Sequence, residues 1–138
     1  MQLDIHGIES TVDLLKNVAP RSANNILRNT VTDVARDLAK DIKNTAPKDE
    51  GTLRKSIQAK RRKGRRDEIA ASVVFRRDAK ADGFYWRFIE YGTVKDPARP
   101  FVKPAVERLN ARIGQVFNNS FGIRFEKEMK RLAKKVRA

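Results

Sequence analysis

The sequence contains no cysteine and a single histidine. That excludes disulfides, thiolate metal sites and cysteine nucleophiles, and leaves too few imidazoles for a multi-histidine metal centre. No run approaches the roughly 18 consecutive apolar residues of a membrane span. Met1-Gln2-Leu3-Asp4 lacks the basic-then-apolar order of a signal peptide, so a cytoplasm-like compartment and no membrane partner are expected. Aromatic residues make up only 7% of the chain, and acids are scarce, 17 against 31 Lys and Arg, for a formal charge of +14. What is present is 138 residues, 40% of them apolar. That suffices for one modest core and rules out two large domains.

The charge is local. Residues 54–66 contain Arg54, Lys55, Lys60, Arg61, Arg62, Lys63, Arg65 and Arg66 and no acid, whereas residues 124–138 carry seven cations against Glu126 and Glu128. Together they hold +13 of the +14. Each run reads either as a solvated face or as an electropositive patch that meets nucleic acid or an acidic protein.

Ser10 with Asp13 forms a weak capping box before Val12, Leu14, Leu15 and Val18, predicting a short helix that ends at Pro20. Ile26, Leu27, Thr30, Val31, Val34, Ala35, Leu38 and Ile42 recur at three- and four-residue spacing. They predict a long amphipathic helix over 22–45, stopped by Pro47. Residues 48–51 follow as a turn, and 52–56 as one helical turn. A hairpin is predicted from 57–62 paired with 68–76, with a basic tip at 61–66 too charged to be packed.

Residues 82–93 gather five of the ten aromatics. On a short helix ended by Gly92 as a left-handed cap, Tyr85, Phe88 and Ile89 would share one face, and Trp86 and Glu90 another. Most of these rings are expected to complete the core, with Trp86 and Tyr91 as the interface candidates. Three prolines in 97–104 impose an extended arm, and Pro104 suits the first turn of a second amphipathic helix carrying Val106, Leu109, Ile113, Val116 and Phe117. Asn118-Asn119-Ser120 and Gly122 are expected to weaken or bend that helix before Phe125, Met129, Leu132 and Val136 resume its stripe.

The search for chemistry is negative. His6 and Glu9 lack a third ligand. Ser56 and Ser72 have no histidine partner, and the glycines form no phosphate loop. Asp49 with Glu50, and Asp67 with Glu68, read as solvated turn acids rather than a divalent-ion site. Neither a catalytic residue, a cofactor site nor a metal site is assigned.

Three pieces in order carry a resemblance: Ala46-Pro47-Lys48-Asp49-Glu50-Gly51-Thr52-Leu53-Arg54-Lys55-Ser56-Ile57, then Glu90-Tyr91-Gly92-Thr93 closing the aromatic segment, then Ala98-Arg99-Pro100-Phe101-Val102-Lys103-Pro104-Ala105. Over about residues 20–117 the chain resembles the small head-tail joining (neck or tail-completion) proteins of long-tailed, lambda-like siphophages. The resemblance implies an α+β fold, with long helices on a small antiparallel sheet and a projecting basic hairpin. It implies one domain over 1–138, with a core at about 10–117 and a basic C-terminal helix at 118–138. It also implies a non-enzymatic structural virion subunit, in the host cytoplasm during assembly, that forms a homo-oligomeric ring, possible as a hexamer. Its neighbours would be the head connector or stopper and the tail terminator or tail tube.

Within that frame, Trp86, Glu90, Tyr91, Gly92, Thr93, Arg99, Pro100 and Phe101 are expected to form an interface or structural corner, and Lys127, Lys130, Arg131, Lys134 and Lys135 to dock the C-terminal helix. Arg61, Arg62, Lys63, Arg65 and Arg66 would either touch DNA phosphates in the channel or meet acidic neighbours. Since a firm grip on DNA would hinder ejection, protein contact is favoured. The alternative function is sequence-independent nucleic-acid binding through the two basic stretches. A nuclease, resting on turn carboxylates alone, is the weakest reading.

Overall fold

The structure is a computed structural model and describes residues 17, 19–47, 51–64, 68–77 and 83–137. Its elements are α1 (Pro20–Thr45), α2 (Gly51–Ser56), β1 (Ile57–Arg62), β2 (Ala70–Phe75), α3 (Trp86–Tyr91) and α4 (Val102–Arg137). The fold is α+β, with β1 and β2 pairing as a two-stranded antiparallel sheet. The short helix expected over 10–18, apart from Asn17, lies outside the described residues, as do residues 48–50 of the turn, Arg65, Arg66 and Asp67 of the hairpin tip, and His6 with Glu9. No helix among the described residues is long and apolar enough to cross a membrane.

The described residues fall into two compact units. One comprises Ala35–Arg62 and Ala71–Ala111. Its core joins Ala39, Ile42 and Ala46 at the end of α1, Leu53 of α2, Ile57 of β1, Ile89 of α3, and Phe101 and Ala105 at the start of α4. Two of the three sequence pieces named above, 46–57 and 98–105, therefore send buried side chains into one cluster, and Ile89 joins it from the position just before the remaining piece. Val73, Phe75 and Trp86 pack against it, with Phe75 stacked on Trp86 at 4.7 Å and edge-on to Phe101 at 6.2 Å. β1 is buried at Ile57 and becomes exposed toward Arg62, so the hairpin is anchored at its base and bare at its basic end.

Ser56 is fully buried. Its hydroxyl donates to the Leu53 carbonyl at 2.5 Å, while its own carbonyl accepts from the Arg76 amide at 2.8 Å. Gly83 passes so close that a Cβ there would lie 2.6 Å from Ser56 Oγ and 2.7 Å from Phe75 Cβ. Only glycine fits that approach.

The other unit comprises the described residues up to Val34, those of Lys63–Ala70, and those from Arg112 onward. Here α1 buries Ala23, Ile26, Thr30, Thr32 and Val34, and α4 buries Phe117 and Phe121. The two buried threonines satisfy their hydroxyls by donating one turn back, to the carbonyls of Ile26 and Arg28. Phe117, Phe121 and Phe125 stack at four-residue spacing, with centroids 6.1 and 5.9 Å apart.

The residues at 118–122, expected to weaken or bend the helix, do not break it, for α4 is one 36-residue helix. Gly114 and Gly122 each cost about 1 kcal/mol of helix propensity, but the phenylalanine ladder runs straight across the polar stretch. Ser120 is itself held, donating to Asp33 at 2.5 Å. Tertiary anchoring overrides local preference.

Candidate functional site

The start of α4 is a problem in hydrogen bonding, because the first four amides of a helix have no partner within it. The residue that would cap it, Phe101, has no polar side chain and is buried. The cap comes from α3 instead. Glu90, only 5% exposed, accepts from the amides of Phe101 (2.7 Å) and Val102 (2.9 Å) on Oε2, and from Lys103 (2.9 Å) on Oε1. The fourth amide does not exist, since the next residue is Pro104. A buried carboxylate at the positive end of the α4 dipole is also in a favourable field. This explains why a glutamate eleven residues upstream accompanies the proline-rich arm.

The turn between the two helices is built from Gly92 to Pro100. Gly92 has φ 77° and ψ 172°, a region essentially confined to glycine. A Cβ there would also lie 2.7 Å from the Ala98 amide nitrogen. The left-handed cap expected from sequence is thus corrected: φ is positive, but ψ lies outside the αL well. The reason is that a distant amide closes the helix, Arg99 donating to the Ile89 carbonyl at 2.8 Å, so no Schellman-type bond is needed. Thr93 knots the loop. Its amide donates to the Asp96 carbonyl (2.9 Å), and its hydroxyl oxygen accepts from the amides of Lys95 (3.3 Å) and Asp96 (3.0 Å). Pro97, Arg99 and Pro100 lie on the exposed side of the arm, which ends three residues earlier than expected because Val102 already opens α4.

Turning Glu90 inward fixes which face of α3 is outside. Trp86, Ile89 and Glu90 face the interior, so Trp86 is partly buried against Phe75 instead of being an exposed ring. Tyr85 and Phe88, expected to complete the core, are half exposed together with Phe84, and Tyr91 is 75% exposed. Arg77 lies over the Phe84 ring at 4.7 Å. A cleft of about 520 Å³ opens beside these rings, with Tyr85, Phe88, Thr93, Pro97 and Arg99 in its wall. The signal that could have shown this was the need for a cap at α4, which only a carboxylate on α3 could meet.

The basic residues stand elsewhere. Arg61, Arg62 and Lys63 are exposed, Arg62 donating to Ser72 across the strands at 2.9 Å. On α4, Lys127, Lys130, Arg131, Lys134 and Lys135 are all exposed. Arg131 pairs with Glu128 at 2.6 Å, and this guanidinium, followed by the Ser22 hydroxyl, holds the Glu128 carboxyl below the usual carboxylate range. Arg124 donates through Nε and Nη2 to Asp33, which raises its pKa further above the usual arginine value. Among the described residues no group of three His, Asp or Glu could hold a metal ion.

A family model described as "HK97-gp10_like: Bacteriophage HK97-gp10, putative tail-component" matches residues 9–92, a span from before α1 to the glycine that ends α3. No curated protein and no solved structure matches the chain. More than half of the sequence thus fits one family, and the chain belongs to the HK97-gp10-like family of phage tail components, structural parts of the virion.

Proposed function

We propose that the protein is a non-enzymatic joining subunit at the head-proximal end of the tail, forming a homo-oligomeric ring between the head connector and the tail tube or terminator. The observation that carries this reading is the exposed aromatic surface of α3, with Phe84, Tyr85, Phe88 and Tyr91 outward, on a corner whose backbone is locked by Glu90, Gly92 and Thr93. Contiguous exposed aromatics mark contact surfaces in soluble proteins. A surface held rigid before contact loses little entropy on docking. A closed ring needs two different faces meeting head to tail, and the aromatic cleft serves as one of them. The basic hairpin end, Arg61 to Arg66, meets acidic surfaces on adjoining virion proteins.

The test is assembly. The purified protein, alone and mixed with neighbouring tail proteins, is sized after nuclease treatment and imaged by electron microscopy. The wild type is expected to form nuclease-resistant rings. The Phe84→Ser/Phe88→Ser variant should keep its helical circular dichroism and remain a monomer. Rings formed equally well by that variant would overturn the aromatic contact, and a chain that never assembles with any tail partner would overturn the ring.

A further inference from the structure

A second cleft, of about 500 Å³, lies within the unit that contains the distal half of α4. Lys127, Lys130 and Lys134 stand along one wall, Asn25 and Asn29 of α1 contribute to the other, and the buried Ile26 lines its base. The acids nearby are already occupied. Asp33 binds Arg124 and Ser120, while Glu128 binds Arg131 and Ser22. Lys127 and Lys134 make no ion pair among the described residues, and Lys130 has only a loose, exposed one with Glu126 at 3.7 Å, of a kind that contributes little. Among the described residues the cleft therefore carries more positive charge than the acids beside it offset, next to the Asn25 amide.

The spacing matters as much as the sign. At 1.5 Å per residue, Lys127 to Lys134 span about 10 Å of helix axis. Along one strand of a duplex, at 3.4 Å rise, roughly three phosphates fall in that length. We infer that this groove binds the phosphodiester backbone of nucleic acid, without reading bases, through Lys127, Lys130 and Lys134, with Asn25 donating to a phosphate oxygen. Three such contacts make a grip that loosens steeply with salt, compatible with nucleic acid that must later move past. This inference does not rest on the ring, and its test reads binding by the unassembled chain.

The experiment measures fluorescence anisotropy of a labelled random-sequence duplex with the full chain across salt from about 50 to 200 mM. The variants are Lys127→Gln/Lys130→Gln/Lys134→Gln and the charge-keeping set Lys127→Arg/Lys130→Arg/Lys134→Arg. The glutamine set should lower affinity about tenfold or more and flatten the log–log salt slope by about 2 to 3, while the arginine set stays close to wild type. In the wild type, the duplex should protect these three lysines from acetylation, read by mass spectrometry, a measurement that needs no variant to fold. An unchanged slope in the glutamine set, equal loss in the arginine set, or no protection by DNA overturns the assignment. Competition by polyglutamate as effective as that by DNA of equal charge overturns it in favour of an acidic protein surface.

Discussion

The unit built from Ala35–Arg62 and Ala71–Ala111 and the unit holding the other halves of α1 and α4 are stabilised by different means. The first closes around a dense apolar cluster and places the buried Glu90 carboxylate where three amides need it. Among its described residues the second shows a thinner apolar ladder, joined by charged and hydroxyl contacts between α1 and α4, Ser22 to Glu128 and Asp33 to Ser120 and Arg124. Burial stabilises regardless of salt, whereas half-exposed ion pairs are screened. The contrast teaches that the first unit is a fixed frame, and that the second responds to its ionic surroundings.

Breaking the frame should have the largest effect. Phe101→Ala, which empties the centre of the cluster, is expected to cost about 3–5 kcal/mol, read as a lowered midpoint in urea unfolding. Glu90→Ala leaves three amides, one buried and two partly buried, without their acceptor and should cost about 3 kcal/mol, with Glu90→Gln intermediate because one carbonyl oxygen remains. Gly92→Val forces a branched residue into a glycine-only region and against Ala98, so it should damage folding by about 2–3 kcal/mol. A normally folded, fully assembling Gly92→Val protein would remove this corner from the account.

The second unit should show smaller, condition-dependent effects. Asp33→Asn is expected to cost about 1 kcal/mol or less at low salt and almost nothing at high salt, whereas the Phe101→Ala effect should persist. Glu128 sharpens the contrast through pH. Its carboxyl is held below its usual value, so the folded protein binds that proton less readily than the unfolded chain. Its contribution is therefore present above the usual carboxylate range and is lost as pH falls through it. Acid titration of wild type against Glu128→Gln should show that difference shrinking below about pH 4.

The sequence made much of this legible, for physical reasons that differ by element. The stripe from Ile26 to Ile42 announces α1 because a helix of that length must bury one face. The short run ending in Val73, Val74 and Phe75, β-branched at its close, and the basic run at 61–66 announce the hairpin. Pro47 and Pro104 mark boundaries because proline lacks an amide hydrogen. What could not be read locally was decided by partners far along the chain. Asn118 to Gly122 look like a break until Phe117, Phe121 and Asp33 are brought together. Tyr85 and Phe88 look like core until Glu90 is seen to need the inward face. The acids of α1, which lie off its apolar stripe, hold Arg108 at Asp41 and Arg124 at Asp33.

Helices usually open at a surface, where water can tend their spare donors. With three amides given to one carboxylate and a proline in the fourth place, α4 leaves no spare donor for solvent, so Phe101 and Ala105 can be buried at its root. A rod rooted in this way begins at the same point of its own unit in every copy of the molecule.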